Sequence, residues 1–191
     1  LGRIEEALAN YNEAIDLKVD FFKAYSNKNL CLNYSSNWTL LFIYHQHLEF
    51  EKQFNGLKIV PTLSLPVKKN FGERLRIGYV SGDFRNHSVA YFFEPLLQHH
   101  NANVVETFCY YNNSVVDATT KRLTATCDHW RSIFGIADPE VANLIRNDQI
   151  DILVDLSGHT AKNSLLVFAQ KPAPIQVTWL GYPNTTGLSA I

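Results

Sequence analysis

The sequence predicts an α/β fold, a doubly wound parallel sheet preceded by α-helical hairpins. Three observations predict it. Apolar residues recur at three- and four-residue steps through the first fifty residues, as on one face of a helix. From Leu75 the period changes, and short apolar runs alternate with helical ones, the pattern of strands joined by helical crossovers. Two of those runs, Leu75 to Ser81 and Ile150 to Leu156, end in a glycine turn that delivers a histidine.

Residues 1–54 read as helical. The first helix carries Ile4, Ala7, Leu8, Tyr11, Ala14 and Ile15 on one face, with Glu5, Glu6, Asn12, Glu13 and Asp16 on the other. A second run begins near Phe22 and includes Ala24, Tyr25 and Leu30. A third includes Trp38, Leu41, Phe42, Tyr44, His45 and Leu48. Residues 55–74 hold Gly56, Pro61, Pro66, Lys68, Lys69 and Gly72, a linker composition in which proline disfavours helix. Residues 75–191 then predict strands at 75–81, 104–111, 129–134, 150–156 and 175–180. Helices are predicted at 89–99, 116–126, 139–147 and 163–169, with Asp138 as the cap of the third and Pro139 in its first turn.

Composition narrows the function classes. Hydrophobic residues make up 46% and charged residues 18%, so a packed core is expected rather than disorder. The net charge of -1 offers no basic excess for phosphates, which argues against nucleic acid as a partner. No apolar run is long enough to span a bilayer. Cys31, Cys109 and Cys127 are odd in number and lack paired spacing, so neither a disulfide framework nor a zinc site is expected, and a cytoplasmic setting fits. The chain holds no Met and opens inside a helical pattern, so more sequence is expected upstream.

The first chemical candidate is Gly82-Asp83-Phe84-Arg85-Asn86-His87-Ser88. Gly82 lets the chain turn, Asn86 and Ser88 are candidate helix caps, and His87 comes to lie at a helix start. An imidazole at the carboxyl end of a parallel strand is where such sheets hold ligands, and it can accept a hydroxyl proton. The second is Asp155-Leu156-Ser157-Gly158-His159-Thr160, which is expected to bring His159 to the same crevice as His87. Asp151 and Asp155 lie four apart on a strand, and we read this pair as structural. The third is the run from Lys171 to Pro183, two prolines and an apolar strand that exits into Gly181-Tyr182-Pro183. His45 and His47, two apart on a helix, are poor co-ligands. The sequence lacks the Gly-x-Gly-x-x-Gly fingerprint, the phosphate-binding Gly-x-x-x-x-Gly-Lys loop and the Gly-x-Ser-x-Gly elbow.

Two resemblances add to this reading. Gly2, Ala7, Tyr11 and Ala14, followed by Ala24, Tyr25 and Asn27, sit at tetratricopeptide-repeat spacing. The segments Arg76 to His87, Phe108 to Tyr110, Asp151 to Thr160, Pro172 to Gln176 and Trp179 to Pro183 together resemble the protein O-GlcNAc transferase family, which bears such repeats. That resemblance implies the Rossmann-like N-terminal lobe of a two-lobed GT-B glycosyltransferase, with the second lobe beyond Ile191. It implies inverting, metal-independent transfer of N-acetylglucosamine from UDP-GlcNAc to Ser or Thr of proteins, with no cofactor. His87 is then the catalytic candidate, as base or positioning group. Asp83, Asn86, His159, Thr160, Pro183, Thr185 and Thr186 are candidate substrate-binding residues, and acceptor proteins are recruited through the repeats. Asn184 and Thr185 stand where Gly-Thr is usual, and Arg146 stands where some members carry His. The alternatives are an adaptor with a degenerate lobe, or a transferase using another nucleotide sugar. On any of them the 191 residues alone are expected to be inactive.

Overall fold

In the computed structural model the described residues are 2–53 and 72–191. The predicted linker falls largely outside them. Three helices come first, α1 (Ile4–Leu17), α2 (Phe22–Leu32) and α3 (Leu40–Lys52). Four residues join α1 to α2, so the two pack as neighbours, and Leu8, Leu32 and Ile43 close a small core between the three helices. The Thr39 side chain caps α3 by accepting from the Phe42 N–H.

Strands and helices then alternate: β1 (Leu75–Ser81), α4 (Ser88–Gln98), β2 (Val105–Tyr111), α5 (Ala118–Thr126), β3 (His129–Ser132), α6 (Asp138–Asn147), β4 (Ile152–Asp155), α7 (Leu165–Ala169) and β5 (Ile175–Thr178). All strand pairs are parallel, in the order β3-β2-β1-β4-β5. The expected α/β class therefore holds. Two local expectations are corrected. Ala137, not Asp138, is the N-cap of α6, and Asp138 is already its first helical residue. Neither Asn86 nor Ser88 caps α4, because His87 does.

The strand order explains the two faces. The chain steps outward from β1 to β2 to β3, then crosses back to β4 and β5. Parallel crossovers are right-handed, so reversing the direction sends the helices to the other face. Accordingly α4 and α5 share one face: Val89, Ala90, Phe93, Leu97 and Leu123 cover Tyr79, Cys109, Tyr111 and Val154. On the other face α6 and α7 bring Val141, Ala142, Ile145, Leu165 and Phe168 against Val80, Phe108, Tyr110 and Leu153. Odd and even strand positions thus feed different cores, as strand geometry requires. The second core also takes in Ile15, Tyr25 and Phe50, so the helices α1–α3 are continuous with it.

Both acidic residues near β4 bind backbone. The Asp151 carboxylate accepts from the Arg76 N–H at 2.7 Å. Asp155 is wholly buried and accepts from the Ser157 and Gly158 N–H groups and the Thr178 hydroxyl, at 3.1, 2.8 and 2.8 Å. Burial pushes its carboxyl pKa up, and the three donors pull the other way. Asp155→Asn puts an NH2 group against one of those donors. We expect it to lower stability by about 1–3 kcal/mol in urea titrations, and an unchanged midpoint would count against this account of the turn.

Candidate functional site

The direction of the sheet reverses between β1 and β4. Their carboxyl ends flank the point where open α/β sheets form a ligand crevice. The chain leaves β1 through Gly82, where a Cβ would come within 2.8 Å of the Lys162 Cβ and 3.2 Å of its carbonyl oxygen. Lys162 itself has φ 58°, so the β4 exit loop bends sharply to lie on this glycine.

His87 begins α4. Its φ and ψ are extended (-154°, 153°), and its Nδ1 accepts from the Val89 N–H at 3.2 Å. When the ring is neutral this bond places its proton on Nε2, and the side chain is 35% exposed. Asp83 Oδ2 lies 3.8 Å from Nδ1, while its Oδ1 holds the Arg85 guanidinium at 3.3 Å. Asn86 donates its backbone N–H to Asp117 Oδ2 at 2.7 Å, and its side-chain oxygen accepts from the Tyr91 hydroxyl at 3.4 Å.

Asp117 is a site residue that the sequence reading missed. It caps α5 through a reciprocal box with Thr120 and also holds the Asn86 amide, so it ties the His87 turn to α5. These backbone donors keep its carboxyl below the usual range. The Asp-x-x-Thr spacing was the available signal.

His159 does not join this group, contrary to the expected shared crevice. After β4 the crossover runs to the face opposite α4, and His159 is carried with it. It is fully buried beneath α2 and α3, with Phe50 and Tyr182 edge-on at 4.7 and 5.4 Å. Its Nε2 lies 2.9 Å from the Thr186 carbonyl oxygen and must donate to it. Its Nδ1, 3.0 Å from Ser26 Oγ, therefore accepts from that hydroxyl. Desolvation, and His47 close by, push its pKa down to about 3.

The remaining candidates lie on this second side. The Thr160 hydroxyl donates to the Ser157 carbonyl. Pro183 is exposed. The Thr185 hydroxyl accepts from the Gly187 N–H, and the Thr186 hydroxyl from the Leu188 N–H. Asn184 reaches Asn33 of α2 at 2.9 Å. The structure thus gathers Asp83, Asn86 and His87 into one turn, and ties His159 to Thr186 elsewhere. Among the described residues no group of three or more His, Cys, Asp or Glu side chains is placed to hold a metal ion, and no helix is long and apolar enough to cross a membrane.

The family model described as Glycosyl transferase family 41 matches residues 44–191. The chain belongs to that family. Among family 41 relatives, the SPINDLY protein of Oryza sativa subsp. japonica is 41% identical over 186 residues, which is 95% of this chain and 20% of the relative. The UDP-N-acetylglucosamine–peptide N-acetylglucosaminyltransferase of Caenorhabditis elegans is 42% identical over 119 residues, 61% of this chain and 10% of its own length. A solved mutant of the Thermobaculum terrenum O-GlcNAc transferase matches with TM-score 0.92 and 40% identity, over 100% of this chain and 36% of that one. The chain spans about a fifth of the length of the SPINDLY relative, so it carries one part of what a family 41 protein of that length holds.

Proposed function

We propose that the protein containing this chain transfers N-acetylglucosamine from UDP-GlcNAc to Ser or Thr hydroxyls of proteins, with inversion and without a metal. Family membership supports the chemistry, and relatives named for UDP-N-acetylglucosamine and peptide support the donor and acceptor classes. The observation that carries a role for this chain is His87 at the N-cap of α4, beside the reversal point of the sheet.

In this reading the acceptor hydroxyl attacks the anomeric carbon as UDP leaves from the opposite side. With Nδ1 engaged by the Val89 N–H, His87 faces substrate as an Nε2–H donor. Its part is to orient an oxygen of acceptor or donor rather than to take the proton. Asp83 and Asn86 hold the turn, and Asp117 fixes the Asn86 amide. Charge on the departing UDP calls for cations or a helix N-terminus from the rest of the protein, as the two-lobed GT-B arrangement would supply. Helices α1–α3 form the end of a tetratricopeptide platform that recruits acceptor proteins, and the protein works in the cytoplasm.

The test is His87→Ala in the full-length protein, assayed with UDP-GlcNAc and with a panel of other UDP- and GDP-sugars. We expect turnover to fall about 100-fold, with melting temperature lowered only by the few degrees that the loss of one helix cap costs, about 1 kcal/mol. Unchanged turnover would remove His87 from the mechanism. Preference for another sugar would overturn the donor assignment. A wild-type protein that binds partners but transfers nothing would favour the adaptor reading.

A further inference from the structure

Tyr182 is buried at the end of the Gly181-Tyr182-Pro183 turn, and its hydroxyl lies 2.6 Å from His47 Nε2. His47 is fully buried on α3, and its Nδ1 is 2.7 Å from the Ile43 carbonyl oxygen. That contact requires a proton on Nδ1, so Nε2 is the acceptor and Tyr182 donates to it. Burial lowers the His47 pKa, in keeping with a neutral ring. Asn33, the C-cap of α2, donates to the same hydroxyl at 2.8 Å, and the Asn29 carbonyl oxygen lies 3.2 Å from it.

The segment after Tyr182 is held along its length. Asn184 donates to Asn33, the Thr186 carbonyl accepts from His159, and the Ser189 amide and hydroxyl donate to Glu51 at 2.8 and 2.6 Å. Gly187 has φ 75° and packs directly on the His47 backbone, where any side chain would strike the carbonyl. His47 and Glu51 belong to α3, and Asn33 is the C-cap of α2. The loop between Pro183 and Gly187 is therefore held by Asn33 at Asn184 and by the His47 backbone at Gly187, with His159 at Thr186 and its own Thr185 hydroxyl at Gly187 completing the shape.

We propose that Tyr182 and His47 are positioning residues for the 183–187 loop, and that α2 and α3 are part of the transfer machinery. The assignment of this loop to the nucleotide sugar rests on the function proposed above, together with the substrate-binding role that the family resemblance implies for Pro183, Thr185 and Thr186. The latch acts through the loop: its hydrogen bond sets where Thr185, Thr186 and their backbone amides stand.

The experiment uses the full-length protein with Tyr182→Phe, His47→Ala and His47→Gln. Amide hydrogen exchange is followed by mass spectrometry, and KM and kcat for UDP-GlcNAc are measured per folded molecule. Tyr182→Phe keeps the ring that packs on Gly158 and loses only the hydroxyl. We expect exchange over 183–189 to quicken about tenfold, and KM to rise about tenfold with kcat within twofold, as for loss of the hydroxyl's bonds to His47 and Asn33. His47→Ala should do the same, and His47→Gln, whose side-chain oxygen can accept from Tyr182, should recover most of the loss. A fall in melting temperature with unchanged loop exchange and unchanged KM would overturn the proposal. If the wild-type protein neither binds nor transfers UDP-GlcNAc, the function proposal fails, and exchange over 183–189 still decides whether the latch shapes the loop.

Discussion

Gly181→Ala is expected to destabilise the lobe more than any other single change considered. A Cβ at Gly181 would lie far inside van der Waals contact distance of the Leu156 carbonyl oxygen, with the Ser157 nitrogen 3.2 Å away. Both are backbone at the end of β4, so no rotamer change relieves the overlap. Overpacking against side chains costs about 1–3 kcal/mol, and collision with a fixed strand end costs more, about 4 kcal/mol or above. Domain stabilities of about 5–15 kcal/mol leave little margin for such a loss. Gly135→Ala is the matched control. Gly135 has φ 79° but nothing within 4 Å of its would-be Cβ, so only left-handed strain of about 1–2 kcal/mol applies. Circular dichroism and thermal melting separate the two. A Gly181→Ala protein that melts like Gly135→Ala would show that β4 and the 181 turn can move apart.

Acid is expected to unfold this protein through its buried histidines. His159 has a folded-state pKa of about 3 against an ordinary 6.5, and burial is the main cause. The unfolded chain binds a proton at this residue below pH 6.5, and the folded chain does not until about pH 3. Stability from this site is therefore intact above pH 6.5 and falls as pH drops through the window between the two values. The slope is about 1.4 kcal/mol per pH unit, or about 2.7 kcal/mol by pH 4.5. His47 and His100 are lowered by burial too and act in the same sense. Asp155, raised by burial, acts in the opposite sense, and the lowered carboxylates Glu106 and Asp128 add their loss only in the carboxylate range. Urea midpoints measured from pH 7 to 4.5 should decline, and His159→Asn should flatten the decline by about one proton. Parallel declines in wild type and variant would show that His159 is not the acid-sensitive group.

Sheet and helices were legible because period and punctuation agree. β1 was bounded at 75–81 from its apolar run and the glycine after it, and those are its bounds in the structure. β3 and β5 end sooner than their apolar runs, at Ser132 and Thr178, because Ile133 and Trp179 continue apolar after the ladder stops. The pairing of His87 with His159 was the larger error. Both follow Gly turns at strand ends, and the sequence makes them look equivalent. Which face each reaches depends on whether the crossover runs toward β2 or toward β5, and strand order is not written in local pattern. His47 was hidden for a related reason. Its two-residue offset from His45 argues against shared ligation, but nothing in the spacing tells that one ring meets a tyrosine 135 residues later. His87 was easier to place because its turn, its cap and its strand all lie within a dozen residues.

The core shared by Ile15, Tyr25, Phe50 and the sheet sets where this architecture can be cut and rejoined over evolution. A recombination seam between α3 and β1 would strand those apolar side chains and orphan the buried Ser26, His47 and Asn29 partners in one stroke. A seam ahead of α1 would disturb none of them. In any such exchange α1–α3 and the sheet they cover are therefore expected to travel as one unit.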